Sequence, residues 1–346
     1  MRILVERVID LMRSLQGSPL EPPRNAVLGV VGRFYDRVFE CRRRRMGDRA
    51  THPLMDVICR QMSDPTEIWD VSDVPKFRRR FSGLLDYLPA PIPSSVQITS
   101  GLRDAASGLL YTRITPERVA SRNALVYLHG GGFVLSNDRE SIPEAAFLAE
   151  RLGVETLVVD YPLAPENRHP IQMDSILSFG RSALGSRPFH VAGESAGAAL
   201  GLMLAASAPR WGGTCVNAFL MYPWLDLTLA SESMVRFARG YFLTKPLLDV
   251  FRSYYLQPGD TDYAAASVLH KVDPATLPPV FCAVGQYDPL LDDSVTLIER
   301  MNAASSKRGL LHVEPGMLHG YVALRGMTSA RNITLNKGAD FLRAQL

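Results

Sequence analysis

Residues 193–197 read Gly-Glu-Ser-Ala-Gly, between an apolar run at 189–192 and a stretch of small residues at 198–205. This pattern predicts a nucleophile elbow, a sharp strand-to-helix turn with a serine at its tip. Glycine stands two positions before and after the serine because the backbone and a neighbouring strand crowd those sites. The turn would expose the Ser195 hydroxyl at the end of a parallel sheet. It would also direct the helix N-terminus towards any oxyanion formed beside it.

A serine in such a turn needs donors for the oxyanion, and a second glycine-rich segment supplies them. The run His-Gly-Gly-Gly-Phe at 129–133, here called the glycine loop, follows the apolar stretch 125–128. Glycines at the end of a strand let the backbone direct its N–H groups inward without obstruction by side chains. We therefore assign oxyanion donation to the amides of Gly131, Gly132 and Ala196, the last being the residue after the serine.

The serine also needs a base and an acid that orients the base. Acidic residues follow the apolar run that ends at Val284, and Asp288 is the better candidate for the orienting acid. Asp292 and Asp293 open the next predicted helix, where acidic side chains cap free N–H groups. His319 follows the next apolar run and is the candidate base. The order serine, aspartate, histidine is the order found in α/β hydrolases.

The chain after residue 94 has the pattern of an α/β fold. Eight short apolar runs are predicted strands, at 96–98, 109–114, 124–128, 156–159, 190–192, 218–221, 280–284 and 310–313. Helical periodicity between them occurs at about 141–152, 171–184, 195–208, 291–305 and 329–345. Alternating strands and helices predict a mostly parallel eight-stranded sheet with helices on both faces.

Three segments are predicted along the chain. Residues 1–50 form a basic helical extension with eleven Arg against six Asp and Glu, and residues 51–94 form cap helices that end in a proline-rich hinge. Residues 95–346 form the catalytic domain. Within it, residues 224–270 contain aromatic-rich helix and no predicted strand. An insertion after a sheet strand would lie over the carboxyl edge, where open α/β sheets bind ligands, so we interpret it as a cap insertion.

The composition limits the classes of partner. The 346 residues carry a formal net charge of +3, and the arginine runs are typical of solvated helix faces, so nucleic acid is not implied. Four scattered cysteines argue against a disulfide framework, and no run approaches the ~20 apolar residues of a transmembrane helix. We therefore expect a cytoplasmic protein without an integral membrane segment. Residues 1–15 are predicted to form an amphipathic helix, whose role as a cap element, a homodimer contact or a weak lipid anchor stays open.

Several motifs in order along the chain resemble those of the hormone-sensitive-lipase-like esterases, a branch of the α/β hydrolases that is abundant in bacteria. Besides the glycine loop and the elbow, matching segments occur at 160–166, 222–226, 240–244, 288–290 and 319–321. The resemblance runs from about Leu54 to the C-terminus. It implies the α/β-hydrolase fold with a helical cap, and activity on short-chain carboxylic esters.

The chain departs from the family pattern at two positions. Pro162 stands where members commonly have arginine, and Glu194 stands where members have aspartate or another residue. Neither departure removes a catalytic group, although Pro162 bears on the rigidity of its loop, and residues 1–50 have no clear counterpart in the family. We interpret Glu194 as a structural acid of the elbow. The His129 ring is interpreted as a hydrogen-bond partner of the backbone that holds the glycines in place.

Other conspicuous side chains have structural interpretations. Loop-bracing or buried roles are expected for His169, His190, Glu166 and Asp226. For three aromatic residues two interpretations stay open, the lining of an acyl pocket and packing within the cap, and these residues are Tyr241, Phe242 and Tyr255.

Together the residues predict a serine carboxylesterase that acts on a small-molecule ester through an acyl-enzyme. No cofactor is expected, and no histidine pair has the spacing of metal ligands. Two alternatives stay open. The same three residues serve an acyltransferase or a deacetylase of a small biosynthetic intermediate if the pocket excludes water. A non-catalytic small-molecule receptor on this scaffold is the second alternative, and the presence of His319 argues against it.

Overall fold

The computed structural model describes residues 24–46, 51–61, 66, 70–85, 91–135, 138–304 and 309–344. The amphipathic helix predicted at 1–15 lies outside these residues, and so does the start of the proline-rich hinge. No helix within the described ranges combines the length and the apolar character that a bilayer crossing requires.

One eight-stranded sheet forms the centre of the molecule. Its strands are β1 Val96–Arg103, β2 Leu110–Pro116, β3 Ala124–Leu128, β4 Glu155–Asp160, β5 Phe189–Glu194, β6 Cys215–Met221, β7 Val280–Gly285 and β8 Gly309–Glu314. Their order across the sheet is β1-β2-β4-β3-β5-β6-β7-β8. Strand β2 runs antiparallel to β1 and β4, and all other neighbours are parallel. All eight predicted strands are present, which confirms the mostly parallel sheet.

The helices of the described residues are α1 Arg24–Met46, α2 Pro53–Gln61, α3 Val74–Leu85, α4 Asp138–Leu152, α5 Ile171–Phe179, α6 Ser195–Ser207, α7 Glu232–Arg236, α8 Lys245–Tyr255, α9 Tyr263–Ala266, α10 Val268–Lys271, α11 Leu291–Ala304 and α12 Ala330–Arg343. The five helices predicted between strands are all present. The one expected at 171–184 is α5 followed by a single π-helical turn over Gly180–Leu184.

Helices cover both faces of the sheet, as expected for a parallel sheet buried on both sides. Strand β3 shows the alternation, because Val126 and Leu128 join the cluster that contains α5, α6 and α11. Leu125 and Tyr127, which point to the other face, join the cluster that contains α4 and α12. Strands β3, β5 and β7 are buried at every position, which explains why their sequences read as continuous apolar runs.

Helix α1 packs on the segment that follows β8. Phe39 is buried against Gly316, which has a φ of +74° and no room for a side chain beneath that ring. Asp36 accepts a hydrogen bond from the Ser329 amide at 3.1 Å, and the His52 amide donates to Gly316 O at 3.1 Å. The opposite side of α1 is exposed, as expected of a solvated basic face, and carries Arg33, Arg37, Arg43 and Arg44.

The segment at 224–270 contains α7 to α10 and no strand. It is anchored to the sheet domain by two acids whose partners differ from the prediction. Asp292 and Asp293 lie at the start of α11 as expected, but their carboxylates do not cap that helix. Asp293 accepts hydrogen bonds from the amides of Leu225 and Asp226 at 2.7 and 2.9 Å, and Asp292 accepts one from the Ser233 amide at 2.6 Å. The buried Asp293 and the partly exposed Asp292 therefore both accept hydrogen bonds from loop amides of this segment.

Candidate active site

Ser195 lies at the junction of β5 and α6 in a left-handed backbone conformation, with a φ of +52°. Non-glycine residues rarely adopt this conformation, and those that do cluster at functional sites. A Cβ at Gly193 would lie 2.9 Å from Gly197 O, and one at Gly197 would lie 2.1 Å from His129 O. The elbow and the glycine loop therefore pack backbone against backbone. A Cβ at Gly130 would lie only 3.5 Å from Ser195 Cβ.

His319 lies between Ser195 and Asp288. Its Nε2 is 3.1 Å from Ser195 Oγ, and its Nδ1 is 2.9 Å from Asp288 Oδ2. The carboxylate accepts the hydrogen bond, so we assign the proton of the neutral ring to Nδ1, which leaves Nε2 as the acceptor for the serine hydroxyl. Asp288 is fully buried, and the His319 side chain is 9% exposed. The structure thus brings together the three residues singled out in the sequence, with His319 between the serine hydroxyl and the carboxylate.

The loops that carry the acid and the base are bonded to each other. The Tyr287 amide donates to Met317 O at 2.9 Å, and the Gly316 amide donates to the Gln286 side chain at 2.9 Å. The carboxylate of Asp288 also accepts a hydrogen bond from the Leu290 amide through its second oxygen, at 2.8 Å. Because both carboxylate oxygens have partners, the acid has one orientation, and this orientation fixes the imidazole ring.

The peptide between Gly130 and Gly131 is held by its carbonyl end. His129 Nδ1 donates to Gly130 O at 2.7 Å, and the His129 ring stacks on the Tyr161 ring with 4.2 Å between centroids. In a trans peptide the N–H points away from the C=O, so these contacts direct the Gly131 amide to the opposite side. The His129 ring therefore bonds to the backbone of the glycine loop, as its interpretation from the sequence predicts.

The next peptide is held in the same way. Gly131 O accepts hydrogen bonds from the amides of Val134 and Leu135, at 3.0 and 2.8 Å, which close a tight turn. The Gly132 amide therefore points out of that turn. No backbone carbonyl of the described residues accepts a hydrogen bond from the Gly131 or Gly132 amide.

The third amide belongs to the elbow. Ser195 O accepts a hydrogen bond from the Trp224 amide at 3.1 Å, so the Ala196 amide of the same peptide points the other way. Ala196 is in the first turn of α6, where an amide has no partner within the helix. All three amides assigned from the sequence are thus oriented by anchored carbonyls.

The cap insertion covers the glycine loop. A Cβ at Gly132 would lie 2.3 Å from the Phe251 ring, which α8 lays directly over this residue. Tyr255, one helical turn further, stacks on Phe133 with 3.9 Å between ring centroids. Phe251 also stacks on Phe77 of α3 at 6.1 Å. Helices from both predicted cap segments therefore meet above the glycine loop.

Glu194 is buried beside the elbow and contacts tyrosines rather than the imidazole. The Tyr127 and Tyr222 hydroxyls donate to its carboxylate at 2.5 and 2.8 Å. Burial, with a further contribution from Glu144, raises the pKa of Glu194 above its usual value. The Tyr222 ring packs edge-on against the His319 ring at 4.8 Å, so Tyr222 contacts both Glu194 and His319.

The remaining candidates lie away from the reacting atoms. His190 bonds to Asn217 and Asn123 within the sheet, and burial lowers its pKa. His169 Nδ1 lies 2.9 Å from the hydroxyl of Tyr255, at the end of α8. Tyr241 stacks on Tyr287 with 5.9 Å between ring centroids.

Of the three aromatic residues whose role was left open in the sequence, Tyr255 is buried and Phe242 is partly exposed. Tyr255 is 2% exposed and is held by Phe133. Phe242 remains partly exposed, and its ring lies 3.9 Å from a Cβ built on Gly320, beside His319. Tyr255 is thus packed against the glycine loop side chain Phe133, whereas Phe242 lies beside His319.

Sequence reasoning missed the role of Arg78, which it treated as part of a solvated arginine run. Arg78 is 24% exposed and reaches the loops beside the site. A signal was present, because residues 74, 77, 78 and 81 share one face of α3 and the other three are apolar. Arg79 and Arg80, on the other face, are exposed as predicted.

Among the described residues, no group of three or more His, Cys, Asp and Glu side chains has an arrangement that could hold a metal ion.

Comparison with known proteins agrees with the fold. An acetyl esterase of Salmonella paratyphi B (strain ATCC BAA-1250 / SPB7) is 29% identical over 251 residues, which cover 69% of this chain and 77% of that protein. An ester-hydrolase from the metagenome of Lake Arreo, solved with a derivative of bipyridine phosphonate, superposes with a TM-score of 0.75 at 27% identity, over 85% of this chain and 98% of the other. An esterase from the bacterial hormone-sensitive lipase family superposes with a TM-score of 0.73 at 24% identity, over 86% and 99% of the two chains.

The α/β-hydrolase fold that the motif-based resemblance implies is thus confirmed. The family described as alpha/beta hydrolase fold matches residues 125–323, from the strand before the glycine loop to just beyond His319. This match includes more than half of the sequence, and the chain therefore belongs to the alpha/beta hydrolase fold family.

Proposed function

We propose that this protein is a serine carboxylesterase that cleaves short-chain carboxylic esters through an acyl-enzyme. The observation that carries the proposal is the position of the His319 ring, 3.1 Å from Ser195 Oγ on one side and 2.9 Å from Asp288 Oδ2 on the other. These distances are those of an activated nucleophile and a base with an orienting acid.

In the proposed reaction Ser195 Oγ attacks the ester carbonyl carbon while His319 Nε2 accepts the hydroxyl proton. The tetrahedral intermediate collapses as the carbon–oxygen bond to the leaving group breaks, and His319 returns the proton to the departing alkoxide. Water then attacks the acyl carbon while His319 Nε2 takes its proton, the bond from that carbon to Ser195 Oγ breaks as His319 returns the proton to this oxygen, and the carboxylic acid leaves. Asp288 stays ionised and accepts the hydrogen bond from Nδ1–H throughout. It thereby stabilises the imidazolium that forms in each half-reaction.

The tetrahedral intermediate carries its negative charge on the former carbonyl oxygen. We assign the hydrogen bonds that stabilise this oxyanion to the amides of Gly131, Gly132 and Ala196. The support for this assignment is the anchoring of their three peptide carbonyls, which turns the N–H groups away from the packed side of each loop. Because these donors are oriented before substrate binds, they need no rearrangement as charge develops. Loss of one such donor typically raises the barrier by ~3 kcal/mol.

The proposed substrate is a small-molecule ester with a short acyl group. The name of the Salmonella relative, acetyl esterase, supports a small acyl group. The aromatic cover that Phe251 places over Gly132 also supports limited space beside the oxyanion site. We further propose that residues 51–94 and 224–270 together form the cap, with residues 1–50 as an extension and residues 95–346 as the catalytic domain. A cytoplasmic location is proposed because Cys41, Cys59, Cys215 and Cys282 are all free thiols.

The test is the hydrolysis of p-nitrophenyl acetate by the wild-type protein and by Ser195→Ala. We expect turnover and stoichiometric labelling by a fluorophosphonate probe in the wild type, and neither in the variant, with an unchanged circular dichroism spectrum. An unlabelled, inactive wild-type protein would support the receptor alternative instead. Product analysis in the presence of small alcohols and amines distinguishes hydrolysis from acyl transfer. An acyl-length series of activated esters then measures the size of the acyl pocket.

A further inference from the structure

Arg78 of α3 bonds to both loops that border the glycine loop. Its Nε donates to Val134 O at 2.8 Å, and its Nη2 donates to Ala164 O at 2.8 Å. The same guanidinium forms a bidentate pair with Glu166, at 2.7 and 2.8 Å. One side chain from the cap therefore satisfies two backbone carbonyls and one carboxylate at the same time.

The carbonyl of Val134 is connected to the oxyanion donors. The Val134 amide donates to Gly131 O at 3.0 Å. Gly131 O and the Gly132 N–H belong to the same peptide group, so this hydrogen bond helps to orient the Gly132 amide. The Ala164 amide in turn donates to Phe133 O at 2.8 Å. Arg78 thus holds the turn that orients Gly132, both directly through Val134 and through the neighbouring Ala164.

We propose that Arg78 is a positioning residue of the reaction, which couples the seating of cap helix α3 to the orientation of the Gly132 amide in the oxyanion site. This inference rests on the proposed esterase function. Arg78 does not touch the reacting atoms, so its effect is transmitted through the hydrogen bonds of the turn at 131–135.

The ion pair with Glu166 alone cannot account for the placement of Arg78. The Glu166 side chain is 55% exposed, and exposed ion pairs contribute little to stability. The hydrogen bonds from Arg78 lower the pKa of Glu166. The two carbonyls, by contrast, are bonded by the planar fork of the guanidinium, which lysine lacks.

The test compares Arg78→Ala and Arg78→Lys with Arg79→Ala. Arg79 is the next residue on the same helix and is exposed, so its replacement removes the same charge without touching the loops. Rates are expressed per active site titrated with a fluorophosphonate, so that misfolded molecules do not contribute. The substrate is p-nitrophenyl acetate, and a boronic acid that forms a tetrahedral adduct on Ser195 serves as a transition-state analogue.

For Arg78→Ala we expect kcat per titrated site to fall about 10- to 100-fold, as for a sub-ångström to 1 Å displacement of a catalytic group. KM should change less than about threefold, because the lost interaction acts in the transition state. The inhibition constant of the boronic acid should rise by a factor similar to the fall in kcat. Arg78→Lys should resemble Arg78→Ala, millimolar guanidinium should partly restore Arg78→Ala, and Arg79→Ala should match the wild type.

Wild-type kcat and boronic acid affinity per titrated site in Arg78→Ala would overturn the inference and leave the esterase proposal intact. The same holds if only the titratable fraction and the thermal midpoint fall, because that result describes a structural role. If the wild-type protein itself hydrolyses no ester and is not labelled, the function proposal fails first. If Arg78→Ala does not fold, Arg78→Lys carries the comparison and should show the same fall in kcat and the same rise in the inhibition constant, because lysine lacks the planar fork that bonds the two carbonyls.

Discussion

Gly197→Ala should displace the nucleophile by overpacking the joint between β3 and α6. A Cβ at this position would lie 2.1 Å from His129 O and 2.4 Å from Leu128 O. Both atoms belong to the backbone at the end of β3, so neither can rotate away. Ordinary van der Waals contact begins near 3.4 Å, and the helix must therefore move from the strand by about 1.3 Å.

Such a movement carries Ser195, two residues earlier, out of its hydrogen bond with His319, which is 3.1 Å long in the intact site. A displacement of ~1 Å at a reacting group costs on the order of 100-fold in rate. The strain should also lower the free energy of unfolding by about 1–3 kcal/mol. Alanine is the better helix former by up to ~1 kcal/mol, which offsets part of that loss.

The assay is kcat for p-nitrophenyl acetate per fluorophosphonate-titrated site, together with urea unfolding. The matched control is Gly201→Ala on the same helix, where a Cβ would meet the Val191 side chain at 2.6 Å and no backbone atom of the glycine loop. We expect the control to lose stability while its kcat stays within about threefold of the wild type. Full kcat per titrated site in Gly197→Ala would refute the argument that backbone packing holds the serine.

Three further predictions concern the acid, the buried glutamate and the N-terminal helix. Asp288→Asn should lower kcat by about 10⁴-fold, because an amide in place of the carboxylate favours the wrong tautomer of the base, and steady-state rates measure this loss. Burial and Glu144 raise the pKa of Glu194, so the wild-type fold loses stability as pH rises above the usual value of 4.5, where the unfolded chain gives up that proton. Glu194→Gln should therefore become more stable relative to the wild type between pH 4.5 and 8, and urea midpoints that keep a constant difference across this range would contradict the prediction. Phe39→Ala should lower the free energy of unfolding by about 3–5 kcal/mol in urea denaturation, because its buried ring covers Gly316, and a loss below about 1 kcal/mol would show that α1 adds little to the fold.

The strands and the elbow were predictable because their signals are local. A parallel strand buried on both faces must be apolar throughout, so β3, β5 and β7 are visible as runs. The elbow is visible because a tight turn excludes side chains, which leaves glycine at 193 and 197. The proximity of the serine, the acid and the histidine then follows from the sheet, because parallel strands bring their carboxyl ends to one edge.

The hydrogen-bond partners of side chains around the site, such as Arg78 and Asp293, were not predictable, because they depend on which distant segments of the chain meet. Three neighbouring arginines on α3 look alike in the sequence, although the helical face on which Arg78 lies was readable. Asp293 reads as a helix cap, and only the folded chain brings the amides of Leu225 and Asp226 to its carboxylate. Helix propensity and capping act over a few residues, whereas these contacts span 56 to 88 residues of chain.

The sequence by itself therefore determined the architecture, the elbow and the identity of the three candidate reacting side chains, because steric limits and hydrophobic periodicity act along the backbone. Only the tertiary structure decided how the Gly131 and Gly132 amides are oriented. The carbonyls of the same two peptide groups, Gly130 O and Gly131 O, are anchored by the His129 ring and by the turn at 131–135. It also decided that Arg78 reaches this turn from the cap. The direction of an amide is set by what its peptide carbonyl bonds, and that partner is known only when the loops have packed.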